Sequence, residues 1–96
     1  MDLVIEDPQQ IYEITKALSV PTRIQILKII STQPASVLEL TNILKMSKGN
    51  VSSHVSQLES LGLIEVEYKN GIKGIKKIIK PKYNRIIIIF KDPQQL

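Results

Sequence analysis

The sequence predicts a mainly helical α+β domain in which four helices are followed by a β-hairpin and a C-terminal Ile-rich strand. Three observations carry this. Apolar residues recur at helical spacing from Ile11 to Leu61, the period drops to two over Leu63 to Tyr68 just before an Asn70-Gly71 pair, and four Ile stand in a row at 86–89. A chain of 96 residues cannot fill two separate cores, so one domain over 1–96 is expected.

Asp7-Pro8 predicts the first helix start, because Asp accepts free N–H bonds at an N-cap and Pro suits the first helical position. Ile11, Ile14 and Leu18 then give a helix from about Pro8 to Leu18. Pro21 opens a second, with Ile24, Leu27 and Ile30 on one face, Ile26 toward another neighbour, Arg23 and Lys28 in water, and an end at Gln33-Pro34. Ser36-Val37-Leu38-Glu39 reads as a capping box for a short third helix burying Leu40, Ile43 and Leu44. Ser47 caps a fourth, with Val51, Val55, Leu58 and Leu61 as its buried stripe and Gly62 closing it in the left-handed conformation.

Leu63 to Tyr68 alternates as a half-buried strand, and Asn70-Gly71 is the preferred pair for a two-residue hairpin turn. The return strand is expected from Ile72 to Lys80, with Gly74 as a bulge or bend and Pro81 as its end. Tyr83 to Phe90 suits a strand buried on both faces, for which a partner chain is the economical cover. Asp7-Pro8-Gln9-Gln10 recurs as Asp92-Pro93-Gln94-Gln95, and no role is assigned to the repeat.

With 43% apolar and 23% charged residues the composition is that of a globular protein. The lack of Cys removes disulfides, thiol nucleophiles and thiolate metal sites, and a single His54 excludes a multi-histidine site within one chain. No metal and no cofactor are expected; Asp2, Glu6 and Asp7 read as complements to a helix dipole. No apolar run approaches the roughly 18 to 20 residues of a membrane span, and the acidic start resembles no signal or transit peptide, so a cytoplasmic location is expected. Catalysis by Ser53 and His54 is excluded because neighbours on a helix point apart.

The net charge of +4 hides an asymmetry. Residues 1–47 carry four cations against five acids, whereas Lys69 to Lys91 hold eight cations and no acid. Such a cluster is either a solvated lysine surface or a patch that contacts phosphates and releases counterions. Location favours the second. Two short helices, the second polar along its outer face, followed by a basic hairpin, is the order of a winged helix-turn-helix. The outer positions of the fourth helix are Lys48, Gly49, Asn50, Ser52, Ser53, Ser56 and Gln57, small or hydrogen-bonding groups that let a helix approach base edges in a major groove. Ser is a mediocre helix former, so its density here serves something other than helix stability.

Ala17 to Leu27, with Leu18, then Pro21-Thr22-Arg23, then Ile26-Leu27, resembles the opening signature of the arsenical-resistance-repressor (ArsR-like) winged-helix family. Val37 to Leu40 resembles that family's first helix of the reading motif, Ser47 to Val55 its recognition helix, and Leu61-Gly62-Leu63-Ile64 its helix-to-strand junction, together covering about residues 10 to 80. Regulators of the multiple-antibiotic-resistance type share the recognition-helix segment. The resemblance implies a homodimer on double-stranded DNA, with recognition helices in successive major grooves about 34 Å apart. Lys48, Asn50, Ser52, Ser53, Ser56 and Gln57 would read bases, while Lys69, Asn70 and Lys73 at the hairpin tip would hold backbone or minor groove. His54 sits where the family often has His, between the outer face and the buried stripe, which leaves a base contact and a structural role both open. The tail at 82–96 departs from the usual family end and is expected to serve dimerisation. The function expected is that of a sequence-specific transcriptional regulator, more often a repressor. Non-sequence-specific chromatin coating and a protein-interaction adaptor are the alternatives.

Overall fold

A computed structural model describes residues 1–91, which form β1 (Asp2–Ile5), α1 (Pro8–Leu18), α2 (Pro21–Thr32), β2 (Ala35–Ser36), α3 (Val37–Leu44), α4 (Lys48–Ser60), β3 (Ile64–Gly71), β4 (Gly74–Pro81) and β5 (Arg85–Ile88). This is a winged helix-turn-helix: α3 and α4 make the motif, and β2, β4 and β3 make the wing sheet in that order. The helices start where the caps predict. Asp7 accepts from the N–H of Gln10 at 2.9 Å, and Ser36 and Glu39 close a full capping box, with Glu39 N–H on Ser36 Oγ at 3.1 Å and Ser36 N–H on Glu39 Oε1 at 3.2 Å.

The core is Ile14 and Ala17 of α1, Ile26 and Ile30 of α2, Val37 and Leu40 of α3, Val51, Val55 and Leu58 of α4, and Ile79 of β4, all buried. Two helices face it differently from expectation. In α2, Ile26 and Ile30 are fully buried while Ile24 is 45% exposed. Ile24, Ile26, Leu27, Ile29 and Ile30 surround much of that helix, so apolar spacing alone does not orient it. Arg23, expected in water, is half-buried, and its guanidinium donates to the carbonyl of Ala17 at 3.3 Å and to His54 Nδ1 at 3.2 Å. In α3, Val37, Leu40 and half-buried Leu44 already fill the inward stripe, which leaves Ile43 56% exposed.

The wing turn also differs. β3 and β4 pair from Ile64↔Pro81 to Gly71↔Gly74, so the turn is Ile72-Lys73 and not Asn70-Gly71. Ile79 decides the register: it is fully buried between Val66 on one side and Ala35 of β2 on the other. A turn at Asn70-Gly71 would instead set Val66 opposite Ile75 and leave Ile79 beyond the start of β3. Gly74, at φ +115°, takes the positive backbone angle that ends the turn, the bend expected there. A Cβ on Gly71 would lie 3.2 Å from the carbonyl oxygen of Gly74.

Apolar spacing predicts no element before Asp7, yet Leu3-Val4-Ile5 forms β1, parallel to β5 from Asp2↔Arg85 to Ile5↔Ile88. The strand expected over Tyr83 to Phe90 is shorter, Arg85–Ile88, and one of its edges is covered by the chain's own β1. Ile86 and Ile88 pack against the core, whereas Ile87 and Ile89 do not, and all four are only half-buried. Burial on both faces is therefore not reached within one chain. Val4, 50% exposed, joins Ile87 and Ile89 on the outer side. The second Asp-Pro-Gln-Gln copy lies outside the described residues.

Candidate nucleic-acid interface

The second helix of the motif, α4, is placed by two caps. Lys45 ends α3 in the left-handed conformation at φ 54°, and Met46 N–H donates to the carbonyl of Thr41 at 3.2 Å. Ser47 then caps α4 by accepting from Asn50 N–H at 3.2 Å. At the far end Gly62, at φ +73°, closes the helix with its N–H on the carbonyl of Glu59 at 2.9 Å. With Val51, Val55 and Leu58 fixed in the core, the opposite face has no freedom to turn inward.

On that face Lys48, Gly49, Asn50, Ser53, Ser56 and Gln57 are exposed, and Ser52 is half-buried beside Lys48. His54, half-buried, accepts from Arg23 at Nδ1, so its ring is tied to α2 and through Arg23 to the end of α1. That bond is a contact of the kind a structural role requires. Arg23 is the residue the sequence reading missed, since an Arg on a polar position carries no signal of a partner 31 positions away.

Lys69 and Asn70, paired near the end of β3, and Lys73, in the turn, are all exposed. Acids nearby neutralise some of the basic run. Glu67 pairs with Lys80 and lies 4.0 Å from Lys69, and Lys80 beside it holds the Glu67 carboxyl below its ordinary value. Lys76 lies 3.8 Å from Glu39, whose carboxyl is also held low, chiefly by the hydrogen bonds from Ser36. Among the described residues Lys48, Lys73 and Lys77 have no acidic partner within 4.0 Å. These three line one groove of about 810 Å³ between α4, the start of α3 and the wing, with Ser52 of α4 and Ile72 of the tip. Of the predicted site residues the groove brings together Lys48 and Ser52 of α4 with Lys73 of the wing, while Gly49, Asn50, Ser53, His54, Ser56, Gln57, Lys69 and Asn70 do not line it. It also adds Leu38 and Ile75, which spacing does not point to. Among the described residues, no cluster of His, Cys, Asp and Glu is arranged to hold a metal ion, and no helix is long and apolar enough to cross a membrane.

The sequence profile of the bacterial regulatory proteins of the arsR family matches residues 20–66, which run from the N-cap of α2 through α4 into the wing. An uncharacterized HTH-type transcriptional regulator from Methanocaldococcus jannaschii is 36% identical over 67 residues, 70% of this chain and 70% of that protein. Among solved structures, reduced HlyU from Vibrio cholerae superposes with a TM-score of 0.69 at 24% identity, covering 79% of this chain and 76% of that one. A crystal structure of an ArsR family transcriptional regulator gives 0.66 at 30% identity, over 79% and 74%. The homodimeric winged helix-turn-helix DNA-binding domain from Mycobacterium bovis gives 0.66 at 23%, over 76% and 64%. The architecture, the capped reading helix and these likenesses agree, and the chain belongs to the arsR family of bacterial regulatory proteins, which are not catalysts.

Proposed function

We propose that the chain is a sequence-specific DNA-binding repressor of transcription, working in the cytoplasm as a homodimer. The observation that carries this is a cationic groove, in which Lys48 and Ser52 of α4 meet Lys73 and Lys77 of the wing beside a helix face of exposed small polar groups. Asn50, Ser53, Ser56 and Gln57 face base edges in the major groove, where short neutral side chains permit close approach. Lys69, Asn70 and Lys73 hold the backbone alongside and fix register without reading sequence. His54 supports the helix from behind.

The tail from residue 82 contributes to dimerisation through the outer side of the β1–β5 pair, where Val4, Ile87 and Ile89 form the apolar surface a second copy would cover. The M. bovis relative, described as homodimeric, supports the same state here. A dimer whose half-sites lie about 34 Å apart occupies a promoter segment that polymerase needs, which favours repression. The test is selection of duplexes from a random pool, followed by titration of selected and unrelated sequences at several salt concentrations. Selected sites should carry two-fold symmetry and bind at least about 1,000-fold tighter than unrelated DNA. Equal affinity for all sequences would favour chromatin-type coating, and no binding at all would favour an adaptor role.

A further inference from the structure

The wing ends in a residue that the fold itself does not use. Ile72 occupies the first central position of the turn and is 104% exposed, as open as in an extended chain. That position suits Pro, Asp, Asn or Ser, and a β-branched apolar side chain gains nothing there from packing. Gly74 already supplies the positive φ the turn needs, and Gly71 the close approach to the Gly74 carbonyl oxygen. An exposed Ile at the tip of a hairpin is instead a liability for association. Its surroundings narrow the use. Lys69, Lys73 and Lys76 stand within four positions of it, and Ile72 lines the same groove as Lys48 and Ser52 of the reading helix. Whatever fills the groove beside the first turns of α4 therefore meets this side chain too.

Resting on the DNA-binding reading above, we propose that Ile72 is a wedge: with α4 in a major groove, the tip enters the adjoining minor groove and Ile72 inserts between two base pairs, kinking the duplex. The hairpin is long enough, since eight residues of strand extend about 26 Å. Apolar side chains that enter minor grooves unstack a base step and bend DNA by about 20–90°. Pyrimidine–purine steps unstack most readily, so the wedge selects TA or CA/TG at a position no other side chain reads. The neighbouring lysines hold the phosphates on either side while the step opens.

The experiment compares the full-length wild type with I72A and I72K, both at a position whose side chain packs on nothing. Each protein selects duplexes of about 30 bp from a random pool. The wild-type sites are then remade with 2-aminopurine at successive positions and, separately, as circularly permuted fragments. The expected result is a pyrimidine–purine step at fixed distance from each half-site, a rise in 2-aminopurine emission at that step, and a bend. Both variants should lose all three while affinity falls less than about tenfold, because burying Ile72 and unstacking the step nearly offset each other. I72K should also show a steeper salt dependence from its added phosphate contact. Unchanged emission and mobility in the variants, or none of these signals in the bound wild type, would overturn the wedge and leave the repressor reading intact. Failure of the wild type to bind any duplex would remove that reading itself. Binding to phosphatidylserine vesicles that disappears in I72A, with duplex signals unaltered, would assign the tip to membranes and overturn the proposal.

Discussion

At Gly49 a Cβ would meet no atom within 4 Å, so nothing inside the protein requires glycine in the first turn of α4. Glycine there costs the helix up to about 1 kcal/mol relative to Ala. Under the proposed function, a duplex that approaches the backbone closely accounts for it. Gly49→Ala should therefore raise stability by up to about 1 kcal/mol in urea unfolding while weakening DNA binding, two effects of opposite sign. A variant that is more stable and binds equally well would show that the duplex stays clear of this turn. Ser53, exposed at the centre of the same face, makes a sharper case. Ser53→Glu places a charge against phosphates and should reduce affinity by about 100-fold or more in gel-shift titration, with the fold and oligomeric state preserved.

Capping and register act at the scale of elements. Ser36 ends β2 and caps α3, so one hydroxyl links the wing sheet to the helix-turn-helix. Its bonds lower the Glu39 carboxyl below the ordinary 4.5, so the capping box contributes stability above that pH and loses it as pH falls through the depressed value. Ser36→Ala should cost about 1 kcal/mol at pH 7, and the gap from wild type should narrow on acidification. Asp2 and Glu67, which also titrate low beside Arg85 and Lys80, change equally in both proteins and cancel in the comparison. A gap constant from pH 7 to 3 would show that the cap does not depend on the Glu39 charge. Local signals such as these were the most legible part of the chain: Asp7-Pro8, the Ser36–Glu39 box, Ser47 and Gly62 all appear where their chemistry places them. Decisions that depend on distant residues were not. Asn70-Gly71 is a good turn by itself, but Ile79 shifts the hairpin to Ile72-Lys73 because only that register lets it reach Ala35. Likewise α2 turns on Arg23, whose partners Ala17 and His54 belong to other helices.

Across the whole molecule, β1 and β5 join opposite ends of the described chain, with Arg85 Nε on Asp2 Oδ1 at 3.0 Å and Ile89 N–H on the carbonyl of Ile5 at 2.9 Å. Leu3-Val4-Ile5 was a visible apolar run, but a short strand has no meaning until its mate is known, and that mate lies 83 residues on. If the outer side of this pair forms the dimer, Ile87→Lys with Ile89→Lys should yield monomers in sedimentation and much weaker operator binding. Intact dimers would move the interface elsewhere. The same closure sets a timetable for synthesis. Ile5, wholly enclosed in the finished protein, emerges from the ribosome well before its parallel mate has been made. At ordinary translation speeds that delay is on the order of ten seconds. The helices and wing can assemble meanwhile, leaving the first strand to dock last, so it should also be the first segment to open and exchange its amide hydrogens.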